Sequence, residues 1–143
     1  MQAPVETFAY LALLNPDPAG RDAVTVLDVN PDLQSYGAQA GRVEMTGVGD
    51  ELYHFGWNAC SSCLCPSSPH PHMRRRYLVV PGMRSSRIHI LDVYPDPRHP
   101  KLAKVIEADE VVNRTGYSRP HTAHCHPTGS IIIIRGGSAC ASA

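Results

Sequence analysis

Proline and glycine punctuate this chain from Pro4 to Gly137, 13 Pro and 11 Gly among 143 residues. Proline lacks the backbone donor that a helix interior needs, and glycine sacrifices the most conformational entropy on being ordered. Long uninterrupted helices are therefore disfavoured, and an all-helical bundle is excluded. Short strands between turns remain as the economical solution. Ala23 to Val29 is rich in β-branched residues and stops at the turn cluster Asn30-Pro31-Asp32, so it predicts a strand. Arg42 to Thr46, Tyr77 to Val80, Arg87 to Val93, Lys101 to Ile106 and Ser130 to Arg135 predict further strands. Turn signals at Pro81-Gly82, Pro95-Asp96-Pro97 and Pro127-Thr128-Gly129 separate several of them. One helix is allowed, over Ile106 to Asn113, with Glu107, Asp109 and Glu110 near its start.

Thirteen Lys plus Arg balance thirteen Asp plus Glu, leaving no basic surplus to draw phosphate backbones or anionic lipid. Neither nucleic acid nor a membrane surface is an expected partner. The longest aliphatic run, Ile131 to Ile134, falls far short of the ~20 residues that span a bilayer. With no charged-then-apolar leader at the N-terminus, a soluble cytoplasmic protein is expected.

One stretch repeats. Leu27-Asp28-Val29-Asn30-Pro31-Asp32 returns as Leu91-Asp92-Val93-Tyr94-Pro95-Asp96, each copy leaving a strand and entering a turn. An edge-like strand and then a histidine-bearing loop follow in both copies, with His54 after the first and His121 and His124 after the second. Repeated sheet modules around one axis bring equivalent loops together at the mouth of a central channel, which is the arrangement of a β-propeller. Chance recurrence of a common strand ending is the competing explanation, and two copies alone cannot close a ring.

Two constellations can carry chemistry. Between Glu51 and Cys65 lie His54, the single Trp57 and the thiols Cys60, Cys63 and Cys65. The Cys60-x-x-Cys63 spacing suits a soft metal, a soft chalcogen or a disulfide. Structural zinc, completed by Cys65 and by His70 or His72, competes with a redox-inert pair, although the second pair follows sooner than finger spacing allows. The other constellation is His121-Thr122-Ala123-His124-Cys125-His126, between Pro120 and Pro127. Extended backbone places His124 and His126 on one face and His121 on the other, whereas a tight turn gathers His121 and His124. Imidazoles with a thiolate favour copper or zinc over magnesium or calcium; a solvated polar loop is the alternative. Arg74-Arg75-Arg76 predicts a solvated strand flank, and His89, between Ile88 and Ile90, a satisfied or exposed strand histidine. Neither a phosphate-binding glycine loop nor a Gly-x-Ser-x-Gly nucleophile motif is present.

The run Gly49-Asp50-Glu51-Leu52-Tyr53-His54-Phe55-Gly56-Trp57-Asn58-Ala59-Cys60-Ser61-Ser62-Cys63 closely resembles the signature of the selenium-binding protein/methanethiol oxidase family. Arg76 to Gly82, Ser85 to Ile88, Pro100 to Glu107 and His121 to Cys125 resemble the same family in the same order. The resemblance implies an all-β fold, with residues 22–134 forming a partial β-propeller of about two blades from a seven-bladed ring. Residues 1–21 would then be an extension with a first strand region, and residues 135–143 a divergent tail.

By the same resemblance, the expected activity is copper-dependent oxidation of methanethiol by O2 and water to formaldehyde, hydrogen sulfide and hydrogen peroxide. His54, His121 and His124 are the implied metal ligands, and Cys60 and Cys63 the implied thiol or selenium contacts. A small thiol and O2 are the implied partners, together with a missing C-terminal part of the ring. Copper held by imidazoles cycles between two oxidation states and accepts a soft thiolate. Three departures stand out. Tyr53-His54 replaces a pair of adjacent histidines, Gly37 aligns near a cysteine to which selenium binding is ascribed, and the Arg135 to Ala143 ending looks like a truncated or shifted reading frame. The fragment is expected to be inactive alone; a non-enzymatic selenium- or metal-binding protein using Cys60, Cys63 and Cys65 is the alternative.

Overall fold

A computed structural model describes residues 5–17, 19–59 and 74–126, together with the backbone of Ile131–Ser138. Nine strands and one helix are ordered along these residues as β1 (Phe8–Leu13), β2 (Ala23–Asp28), β3 (Gln39–Glu44), β4 (Gly56–Trp57), β5 (Tyr77–Pro81), β6 (Ile88–Asp92), β7 (Lys101–Ile106), α1 (Ala108–Thr115), β8 (Tyr117–Cys125) and β9 (Ile131–Ser138). They form three antiparallel sheets, in the orders β1-β2-β3, β4-β5-β6-β7 and β8-β9. The β-rich class expected from the punctuated sequence is the one found. The sole helix among the described residues is eight residues long, too short to cross a bilayer.

The sheets stack because β5 is apolar on both faces. Leu78 and Val80 join Val24, Met45, Leu52, Leu91 and Val93 in one buried cluster, against which Tyr10 and Trp57 pack. Val79 between them points the other way, into a second cluster with Ile88 and Ala123. Successive side chains alternate across a strand, so an unbroken apolar run such as Leu78-Val79-Val80 fits a strand covered on both sides. β5 is therefore the shared wall between the first sheet and β8.

The sequence repeat has a structural counterpart. β2 pairs irregularly between Val26 and Leu27, and β6 between Ile90 and Leu91, the same place in each copy. Directly after each irregularity an aspartate caps the turn: the Asn30 amide donates to Asp28 Oδ1, and the Tyr94 amide to Asp92 Oδ1, both at 2.9 Å. Asx turns of this kind let the side chain replace a lost ladder bond. The copies then diverge, with Ser35 donating to Asp28 at 2.7 Å and Arg76 forming a two-pronged pair with Asp92 at 2.8 and 2.5 Å. These bonds hold both carboxyls below the usual range.

Two elements differ from the sequence reading. The helix starts two residues later than Ile106, since Ile106 is held in the β7 ladder against Ile88 and Glu107 is still extended. It ends at Gly116, whose left-handed φ of 70° and amide bond to Val112 O close the last turn. The segment between Pro120 and Pro127, expected as a loop, is largely the strand β8, because β9 offers it a pairing partner through Cys125.

Candidate functional site

The site is built where the approach to β4 meets β8. Leu52 bridges to Gly82, and the Tyr53 amide donates to Pro81 O at 2.9 Å, fixing this segment beside the end of β5. Leu52 is buried and Phe55 packs on the main core. His54 between them is exposed. Its carbonyl accepts the Ala123 amide at 3.0 Å, which stitches the two sheets together. Gly56 makes the crossing possible: a Cβ there would lie 2.2 Å from Ala123 O, well inside any tolerable contact. This is a steric demand for glycine, not a conformational one.

β8 is irregular at the site. Pro120 pairs with Arg135 but Thr122 pairs with Ile134, leaving His121 as one extra residue on the β8 side. Such a bulge re-aims side chains, and Pro120, which cannot donate to the ladder, is suited to one. Arg119 just before it has a left-handed φ of 57°, its amide donating to Ser86 Oγ at 3.0 Å.

Three rings meet as a result. The centroid of Tyr53 lies 4.4 Å from both the His54 and the His121 rings, and His54 and His121 are 5.2 Å apart and nearly perpendicular. Histidines 67 positions apart in the sequence are thus in direct ring contact. His124 is exposed and borders the same open depression as His54, a space of about 550 Å³ also bounded by Trp57, Arg75, Thr122 and Cys125. A second depression of about 460 Å³ is bounded by Leu14, Leu52, Tyr53, His54 and Phe55, so His54 and Phe55 face both.

The implied copper can be tested against these donors. His54 and His121 present two imidazoles, and the phenol of Tyr53 takes the third corner of the ring triangle. No group of three or more His, Cys, Asp or Glu side chains is gathered at metal-holding spacing among the described residues. They supply part of a late-metal donor set and do not fit a complete one. Cys60, Cys63 and Cys65, with His70 and His72, lie outside the described residues.

Two sequence expectations are corrected. The arginine run is not merely a solvated flank: Arg74 lies 3.9 Å over the Tyr94 ring and Arg75 4.0 Å over Trp57, with Arg75 also paired to Glu6 and Arg76 to Asp92. Cation–π stacking uses the apolar faces of these side chains as well as their charge. His89 is not exposed, and its polar contacts are loose. It is fully buried, Nε2 lying 3.6 Å from the equally buried Asp50, with the Val80 backbone as its other polar neighbour and no hydrogen bond of ordinary geometry at either ring nitrogen among the described residues. Burial pushes its pKa down, opposed by the Asp50 carboxylate. Sequence reasoning also missed Thr122, whose hydroxyl lies 2.7 Å from His121 Nδ1; only the bulge brings these sequence neighbours together.

Residues 1–142 match the family model described as 56 kDa selenium binding protein (SBP56). The chain is 39% identical over 136 residues to selenium-binding protein 2 of Arabidopsis thaliana, covering 93% of this chain and 27% of that protein. It is 38% identical over 135 residues to methanethiol oxidase of Danio rerio, covering 93% and 29% respectively. Among solved structures, a hypothetical selenium-binding protein from Sulfolobus tokodaii matches 96% of this chain and 30% of its own, with a TM-score of 0.83 and 49% identity. The chain therefore spans less than a third of the length of these relatives.

Proposed function

Because the chain belongs to the 56 kDa selenium-binding protein family, we propose that it forms the histidine-bearing part of a methanethiol oxidase-like β-propeller. The contact between the His54 and His121 rings carries this reading: two sheets each deliver an imidazole to one point, the placement a shared channel requires. In the family-length protein these two and His124 would help hold copper, which supplies one-electron chemistry toward O2 when bound. The reaction is methanethiol plus O2 plus water giving formaldehyde, hydrogen sulfide and hydrogen peroxide. The residues of this chain would orient imidazole donors and border the space in which a small thiol is received. The chain alone would not turn over, since its described donors stop at a partial set. The test incubates the 143-residue chain and a family-length relative with copper and methanethiol, reading peroxide and sulfide. Release by the relative only is expected; comparable release by both would overturn the claim of an inactive fragment, and release by neither the oxidase reading.

A second reading, selenium or metal binding without turnover through Cys60, Cys63 and Cys65, is favoured by relatives named selenium-binding proteins. Metal and selenium content after substitution separates the two. Loss of copper on changing His54 and His121 supports the oxidase site, and loss of the bound element only on changing the cysteines supports sequestration.

A further inference from the structure

We propose that Thr122 is a positioning residue, which holds His121 by its Nδ1 and leaves Nε2 as the nitrogen available to a ligand. In a regular strand adjacent side chains point to opposite faces, and a threonine could not serve its neighbour this way. Here the extra residue at 121 breaks that alternation, and Thr122 Oγ1 comes within 2.7 Å of His121 Nδ1. Both residues are half-buried, so water competes for the bond less than it would on an open surface. The hydroxyl can accept from Nδ1–H or donate to a bare Nδ1; we assign the first arrangement, in which the lone pair of His121 lies on Nε2. The backbone around it is committed to the same arrangement: Arg119 is held left-handed by Ser86, and the Ala123 amide is tied to His54. Ligating histidines generally owe tautomer and orientation to a bond at the other ring nitrogen.

The inference rests on the reading of His121 as a ligand, but its test needs no metal. Nitrogen-15 spectra of the full chain labelled at histidine, recorded near pH 8 where free imidazole is neutral, report which His121 nitrogen bears the proton. The Nδ1–H form should dominate. Thr122→Val, which keeps the shape and removes the hydroxyl, should shift the proton to Nε2, and Thr122→Ser should return it. A wild-type His121 protonated mainly on Nε2 overturns the proposal without any variant, as does a Thr122→Val spectrum unchanged from wild type. Failure of the oxidase reading would appear instead as copper content indifferent to His54 and His121, with these spectra unaffected.

Discussion

Replacing Gly56 by alanine should break the joint between the two sheets that carry the imidazoles. The new methyl carbon would lie 2.2 Å from the carbonyl oxygen of Ala123. Ordinary contact begins near 3.4 Å, so β4 and β8 must part by about 1.2 Å. Overpacking of this kind costs about 1–3 kcal/mol. The bond from the Ala123 amide to the His54 carbonyl, now 3.0 Å, would be stretched past useful length, adding about 1 kcal/mol. The sum, about 2–4 kcal/mol, corresponds to a melting temperature lower by roughly 5–15 °C in a chain of this size. Thermal unfolding followed by circular dichroism reads the loss, and cross-relaxation between the His54 and His121 rings, 5.2 Å apart, reads the separation. Gly116→Ala is the control: its Cβ meets nothing within 4 Å, and only the left-handed φ of 70° opposes it, at about 1–2 kcal/mol. A Gly56→Ala protein no less stable than the control, with ring cross-relaxation intact, would refute the steric argument.

Leu78 and Leu91 are at most 1% exposed, so alanine at either should cost about 2–5 kcal/mol in chemical denaturation, whereas Leu33→Ala at an exposed turn should change stability by less than about 0.5 kcal/mol. The His89 pKa is lowered by burial against the opposing Asp50 and Glu107 charges, with Arg87 reinforcing the shift. The unfolded chain then takes up this proton first, and stability should decline as pH falls below about 6.5, down to the folded pKa. His89→Gln should flatten that part of the stability profile. Tyr10, half-buried and donating to Pro97 O at 2.9 Å, has its pKa pushed up to about 12 by desolvation. Stability should fall as pH rises from about 10 toward that value, and the late phenolate absorbance step should vanish in Tyr10→Phe.

The strands were legible where apolar and β-branched residues run up to a turn signal, as in Ala23 to Asp28 and Tyr77 to Pro81, because period and punctuation are local properties. The repeat at Leu27 and Leu91 was legible for the same reason, and its aspartates prove to cap equivalent turns. His54 and His121 could be singled out, but their meeting could not be read from spacing, because it depends on a two-residue strand and on Gly56 admitting a carbonyl. The role of Thr122 was hidden by the alternation rule itself, which assigns it to the face away from His121. The burial of His89 was equally invisible: flanking isoleucines mark a strand, and which face is covered depends on Asp50 and its loop, 39 positions away.

The extra residue in β8 also reverses the strand's parity. Pro120 and Ala123 are both buried although three positions separate them, an odd interval that would send one of them outward in an even ladder. Loss of a single codon at 121 would leave Pro120 and Ala123 two positions apart in a regular ladder, with Ala123 still inward and His124 still outward. The extra residue is therefore dispensable to the buried face of β8, and a strand shorter by that one position should keep its inward side chains while losing the ring contact between His54 and His121.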